Sequence, residues 1–200
     1  MFASNSTMLA SCQEYSRNGD VENLIETYSL KFGYDHANLF RLQKQISALE
    51  DVRSRSNFSG HITCSAILID SYSHSVLLIK HAALGIWLAP GGHVEGVEKP
   101  EETSQRELRE ETGVTSFALH PWHLTNSFCP IDIDCHPIPP NRRKGEPQHY
   151  HHDFIYVFET KRHEEALCID ESEVTGARWS PLESLEGKYP RALKRLGSIL

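Results

Sequence analysis

Two hundred residues suffice for one domain of about 140 residues with its own core, plus an extension. Hydrophobic residues at 39%, charged residues at 24%, and only 12 glycines and 10 prolines exclude collagen-like, low-complexity and wholly disordered chains. With 20 Lys and Arg against 27 Asp and Glu, the net charge of −7 argues against general nucleic-acid or anionic-membrane binding, while leaving metal-bridged phosphate substrates open.

Residues 1 to 58 read as a helical extension. Val21, Leu24, Ile25 and Tyr28 recur at helical spacing, and Leu39, Leu42, Ile46 and Leu49 form a second stripe. Asp20 and Asp35 stand where N-caps belong, and Gly33 where a left-handed C-cap closes the first helix. The apolar stripes must bury on the following domain, on each other, or across a homodimer interface. The polar stretch Arg53 to Gly60 sets the boundary near residue 58, so that 59 to 200 form the main domain.

From His61 the β-branched, aliphatic runs HITCSAILID and SVLLIKHAA predict two strands of a hairpin-like pair. Strand pieces Ile86 to Pro90 and His93 to Val94 flank a Gly-Gly turn. Pro100 to Thr112 is a helix, with Pro at its first position, Glu101 and Glu102 against the positive dipole end, and Gly113 past its C-terminus. Further strands are predicted at Phe117 to Leu124, Tyr150 to Phe158 and Ala177 to Trp179, and a last helix from about Pro181 to Leu196. Cys129 to Pro147 holds five prolines and reads as a long loop.

Five cysteines, Cys12, Cys64, Cys129, Cys135 and Cys168, are odd in number and include no CxxC pair, which points to a reducing, cytoplasmic setting. Neither a basic region nor an apolar stretch of signal length precedes Cys12, so Leu-Ala-Ser-Cys is not read as a lipoprotein cleavage box. No apolar run is long enough to span a membrane.

The predicted helix at 100 to 112 is a weak packing element, offering little more than Leu108 to a core. Glu107, Glu110 and Glu111 crowd one face, and such like-charge pairs cost a few tenths of a kcal/mol each on an exposed helix. A hard divalent cation is the natural counter-charge, since Mg²⁺ takes carboxylate oxygens and completes its shell with water and substrate phosphates. The other reading is a solvated acidic face.

Spacing decides between the two. Gly92, five residues, Glu98, seven residues, then Arg106-Glu107-Leu108-Arg109-Glu110-Glu111-Thr112-Gly113-Val114 matches every fixed position of G-x5-E-x7-R-E-U-x-E-E-x-G-U, with U aliphatic. This segment resembles the Nudix box. A chance match in a chain of this size has a probability on the order of 10⁻⁸ to 10⁻⁷. Upstream Trp87-Leu88-Ala89-Pro90-Gly91-Gly92 and downstream Trp179-Ser180-Pro181-Leu182 resemble the family's flanking segments; residues 1 to 58 match no pattern of it.

The resemblance implies an α/β/α sandwich, a mixed β-sheet between helices with the box as loop-helix-loop. It implies cleavage of a nucleoside diphosphate linked to another moiety, by water attack on the diphosphate, with Mg²⁺ or Mn²⁺ as cofactor. It further implies Glu107 and Glu111 as main metal ligands with Glu110 beside them, a contribution from the Gly91 backbone carbonyl, and Arg106 holding the glutamates with Glu98 as its partner. Gly92 and Gly113 permit the turns. Glu107 is the first candidate for general base, and Glu171 and Glu173 are the alternatives. A non-catalytic nucleotide sensor is the rival function, against which the intact glutamate set argues. An RNA-decapping role is disfavoured by the acidic balance.

A second constellation is Gln148-His149-Tyr150-His151-His152-Asp153 at the start of a predicted strand. With period two, His149, His151 and Asp153 share one face, and Tyr150, His152, Phe154 and Tyr156 the other. Two His and one Asp make a plausible transition-metal set, or they hydrogen-bond substrate, or they are a polar strand end. A similar His-x-His-x-Asp strand occurs in a subgroup of bacterial Nudix proteins. Arg142, Arg143 and Lys144 form a basic cluster that either clamps substrate phosphates or keeps a loop soluble. Trp122, Phe128 and Tyr150 are candidates for base stacking, with core packing as the alternative.

Overall fold

A computed structural model of the chain describes residues 5–142, 145–161 and 167–200, of which 5–17 are described as backbone alone. Helix α1 spans Asn5–Phe32 and α2 His36–Ser47. Asp20 does not cap α1, contrary to the expectation from spacing. No proline and one glycine, Gly19, occur between Asn5 and Phe32, so nothing in the backbone chemistry forces a start at residue 20. Asp20 instead pairs with Arg53 from the side of the helix. Asp35 does cap α2, accepting from the Asn38 N–H at 3.3 Å. Gly33 ends α1 at φ +83° with its N–H on the Ser29 carbonyl. Leu49 leaves the predicted stripe: it lies past α2 at φ +59° and is exposed.

Eight strands form one mixed sheet among the described residues: β1 His61–Asp70, β2 Ser75–His81, β3 Trp87–Leu88, β4 Gly91–His93, β5 Ala118–Leu119, β6 Asp132–Ile138, β7 His149–Thr160 and β8 Val174–Pro181. The order is β3-β2-β1-β7-β5, with β4 on β1, β6 on β7 and β8 on β2. β1 and β7 run parallel, and every other pairing is antiparallel. Central β1 is buried on both faces, which explains its largely apolar run from Cys64 to Ile69.

Several boundaries differ from the sequence reading. The Gly-Gly pair is not a turn: Gly91 and Gly92 lie inside β4, opposite Ser65 and Cys64. Only Ala118–Leu119 of the predicted strand at 117 to 124 is extended, because Pro121 starts a short helix α4, Pro121–Thr125, capped by the His120 ring. The Pro-rich loop contains β6, whose Pro137 is tolerated at a sheet edge where its missing N–H forfeits no ladder bond. The last helix is shorter than predicted. β8 runs to Pro181, a 3₁₀ turn covers Leu182–Leu185, and Pro190 opens α5, Pro190–Leu196.

Helix α3, Pro100–Thr112, matches the prediction, with Gly113 left-handed at φ +72°. Its buried face is broader and more polar than expected: Thr103, Ser104, Glu107, Glu111 and Thr112 join Leu108. The hydroxyls are satisfied locally, Ser104 donating to the Pro100 carbonyl at 3.0 Å and Thr103 to Glu98 at 3.1 Å.

Alternation sorts the sheet into two faces. Ile62, Cys64, Ala66, Leu68, Phe154, Tyr156 and Phe158 pack against α1, α2 and α3, where Val21, Leu24, Ile25, Tyr28, Leu39, Leu42 and Ile46 are buried in the same cluster. The helical stripes therefore bury on the chain's own sheet. Ile67, Ile69, Val76, Leu78, Ile155 and Val157 pack against Leu185, Ala192 and Leu196. α5 covers only this apolar half of its face; at the other end the face is polar. Among the described residues no helix is long and apolar enough to cross a membrane, and Cys64, Cys129, Cys135 and Cys168 are free thiols.

Candidate active site

Strand β4 brings the two constellations together. At Gly92 the α3 side chains come so close that a Cβ would lie 2.2 Å from Glu107 Oε1 and 2.8 Å from Oε2. At Gly91 a Cβ would lie 2.5 Å from the Cys64 carbonyl oxygen and 2.9 Å from Ser65 Cα. Both positions thus require glycine for close approach, the first to admit a carboxylate and the second to pair with β1. The Gly91 N–H donates to Glu111 Oε2 at 2.8 Å.

Arg106 organises the acidic residues. Its Nε donates to Glu98 at 3.1 and 3.2 Å, one terminal nitrogen to Glu107 Oε1 at 2.9 Å and Glu110 Oε2 at 2.8 Å, and the other to the His93 carbonyl at 2.8 Å. A planar guanidinium suits this fork, and the carboxylates around it push its pKa further up. Glu107 and Glu111 are buried against β4, whereas the Glu110 side chain keeps 56% of its surface exposed. The three do not share one environment. Burial raises Glu107, partly offset by Arg106. Burial raises Glu111 to about 8, and Glu107, Glu173 and Asp170 add negative potential. Two desolvated carboxylates one turn apart form an oxygen-donor set that fits a hard divalent cation, which would reverse that penalty.

The segment ahead of β8 comes back to this end of the helix. Cys168 N–H donates to the Thr112 carbonyl at 2.9 Å, and Gly113 leaves room for Cys168, which a Cβ would approach to 2.7 Å. Glu171 and Glu173 follow in an exposed turn. Arg142 is exposed in the loop after β6, and Arg143 and Lys144 lie outside the described residues. Trp122 is half-buried and stacks on Phe32, rings 5.8 Å apart, as part of the packing. Tyr150 lies under Arg41, and Phe128 is exposed at φ +58°.

On the polar end of the sheet, His149 and His151 come together, their Nε2 atoms 3.3 Å apart. Asp153 is separate from them. It is buried under hydrogen bonds from Ser65 at 2.7 Å and Thr63 at 3.2 Å, and burial raises it to about 6. His61 takes the third place instead: parallel pairing sets it opposite His151, and its ring stacks on His149 at 5.0 Å. His93 lies 5.1 Å from His61 and 5.3 Å from His151, and His136 lies 5.9 Å from His151, ring to ring. Burial first, then the neighbouring histidines, push His151 down to about 2; burial likewise lowers His61.

His61, His93 and His136 are absent from the sequence reading of the site. Each lies on a different strand from His149, and no local spacing links them; only the pairing of β1, β4, β6 and β7 does. Tyr189 is also new. Its hydroxyl accepts from the Ala89 N–H at 3.3 Å, and burial raises its pKa.

A family model described as NUDIX domain matches residues 60–198. The chain is 33% identical over 135 residues to a probable DHNTP pyrophosphohydrolase of Lactococcus lactis subsp. cremoris (strain MG1363), covering 66% of this chain and 75% of that protein. It is 31% identical over 127 residues to the m7GpppN-mRNA hydrolase NUDT17 of Xenopus laevis, covering 59% of this chain but only 40% of that protein. Among solved structures, a C. elegans Ap4A hydrolase in a binary complex superposes with a TM-score of 0.52 at 14% identity, covering 68% of this chain and 95% of that one, a likeness of fold. With the box residues gathered around Arg106 and the family model matched over most of the chain, the protein belongs to the Nudix hydrolase family.

Proposed function

We propose that the chain is a divalent-metal-dependent pyrophosphohydrolase that cleaves the diphosphate linkage of a small nucleotide derivative by water attack. The observation that carries this reading is the Arg106 fork, which holds Glu98, Glu107 and Glu110 while the Gly91 N–H holds Glu111. A sensor that binds without turnover has no use for four acids held in register this way.

Glu107 and Glu111, with Glu110 at the rim and the Gly91 carbonyl, would hold Mg²⁺ or Mn²⁺. When bound, the cation neutralises the phosphate oxygens and lowers the pKa of a coordinated water. Glu107 receives the proton of the attacking water, and Arg106 keeps its carboxylate oriented. Glu173 is the second candidate for that role, because its charge is felt at both Glu107 and Glu111.

The test is phosphate release, with and without added phosphatase, from nucleoside triphosphates, dinucleoside polyphosphates, ADP-ribose, nucleotide sugars, coenzyme A derivatives and dihydroneopterin triphosphate. The last compound joins the panel because of the Lactococcus relative. Turnover of one class with Mg²⁺ or Mn²⁺ is expected. Glu110→Gln and Glu111→Gln should each retain the fold by circular dichroism and lose at least about 10²-fold in turnover. Near-normal rates in both variants would remove these residues from the chemistry. Nucleotide binding without turnover across the panel would favour the sensor.

A further inference from the structure

Beyond the glutamate site, we propose that His61, His149 and His151 form a second, distinct site for a transition-metal ion of the Zn²⁺ class. One ring nitrogen from each histidine lies within 4.8 Å of those of the other two, so a small adjustment of the side chains brings all three to the bond length of about 2.0–2.1 Å from one ion. Imidazole nitrogens suit zinc and its neighbours, whereas the carboxylates of α3 suit Mg²⁺ or Mn²⁺.

The outer hydrogen bonds fix which nitrogens face inward. His61 Nδ1 lies 3.1 Å from the Asn57 carbonyl oxygen, and His149 Nδ1 lies 2.8 Å from that of Pro147. A carbonyl can only accept, so both Nδ1 atoms carry the proton and both Nε2 atoms present a lone pair to the cluster. Metal-bound histidines are oriented in the same manner, the outer N–H donated to a backbone carbonyl.

The inward nitrogens lack donors of their own. His61 is 1% exposed, and its Nε2 has no hydrogen-bond partner. His149, 4% exposed, has its Nε2 facing His151 Nε2. A single proton on His151 Nε2 satisfies at most one of the two lone pairs, and an unpaired buried acceptor costs roughly 1–3 kcal/mol. A metal ion satisfies all three nitrogens at once. Asp153 lies outside this set, its oxygens accepting from Ser65 and Thr63. The site meets the glutamates through β4: the His93 ring flanks His61 and His151, and the His93 carbonyl accepts from Arg106.

The full-length chain is titrated with Co²⁺ in saturating Mg²⁺, followed by visible ligand-field absorption, and with Zn²⁺ by calorimetry. One Mg²⁺-resistant equivalent is expected. His149→Gln and His61→Gln should each weaken it beyond the roughly 10- to 100-fold that loss of an outer partner costs. Glu111→Gln should retain it, which separates this site from the hydrolytic one. Absence of Mg²⁺-resistant binding to folded wild type, or its persistence in both histidine variants, overturns the proposal. Should His61→Gln not fold, X-ray absorption at the zinc edge of wild type decides: a shell containing three imidazole nitrogens at about 2.0–2.1 Å is expected, and an oxygen-only shell is fatal to the idea.

Discussion

His123 is fully buried between α4 and β7 and uses both ring nitrogens. Its Nδ1 lies 2.6 Å from the Cys129 carbonyl oxygen, and its Nε2 accepts from the Val157 N–H at 2.9 Å. A second proton would meet that N–H head-on, and burial lowers the pKa to about 4. The unfolded chain titrates near 6.5, so below that value it takes up a proton the native state refuses. This residue's contribution is therefore fully present above about pH 6.5 and declines as pH falls toward 4. Denaturant titrations of wild type and His123→Gln should show the stability gap between them shrinking by roughly 2–3 kcal/mol between about pH 7.5 and about pH 4.5. A gap independent of pH would show that His123 can be protonated in place. The comparison isolates His123 from Glu111 and Asp153, whose raised pKa values act in the opposite sense and are common to both proteins. Nothing in the sequence separates His123 from the other histidines. The box residues, in contrast, are legible because Arg106, Glu107, Glu110 and Glu111 lie within two turns of one helix, where spacing alone sets the geometry.

Three elements distant in sequence meet at Asp132, which begins β6 and is 2% exposed. It accepts from Tyr28 of α1 at 2.7 Å, from Arg195 of α5 at 2.7 Å and from Arg191 at 3.0 Å. Arg195 also lies over the Phe32 ring at 4.0 Å. Asp132→Ala removes the acceptor shared by two guanidiniums and a buried phenol, while Arg191 keeps Asp134 and Arg195 keeps the Ile131 carbonyl. The expected cost is about 3 kcal/mol, at the lower end for a broken buried pair because Arg191 keeps 35% of its side chain in water. A loss in denaturant titration below about 1 kcal/mol would reduce the cluster to an ordinary surface pair. This junction was invisible in the sequence because prolines made 129 to 147 read as a loop. Helix α3 was visible for the opposite reason: Pro100, the acidic first turn and Gly113 all act locally. Elements with strong local signals, such as α3 and the apolar runs of β1, β2 and β7, are legible in the sequence, and features set only by what they pair with, such as β6, are not. The Gly-Gly of β4 belongs to the second kind, since its two glycines serve β1 and Glu107 rather than a turn.

At the scale of the whole molecule, the core runs unbroken across residue 58, where the sequence suggests a boundary. Val21, Leu24, Ile25, Tyr28, Leu39, Leu42 and Ile46 are buried in one cluster with Ile62, Phe154 and Tyr156. Polar contacts cross the same line. Gln45 donates to the Gly60 carbonyl at 2.9 Å, and its own carbonyl oxygen meets His152 Nε2 at 2.7 Å. Removing residues 1 to 59 would uncover seven large apolar positions' worth of contacts on one sheet face and leave His152 and Asp132 without their partners from α2 and α1. At roughly 1.5–3 kcal/mol for each large apolar side chain buried, seven positions amount to about 10–20 kcal/mol, as large as the 5–15 kcal/mol that holds a typical domain folded. The fragment from residue 60 to 200 should therefore lack near-ultraviolet dichroism and a cooperative thermal transition, and should bind a hydrophobic dye, while the full chain melts in one step. A soluble fragment with a sharp transition and native near-ultraviolet signal would show instead that α1 and α2 are a separable layer. In that case the hydrolase and its helical cover have independent stabilities, and the helices are free to leave the sheet.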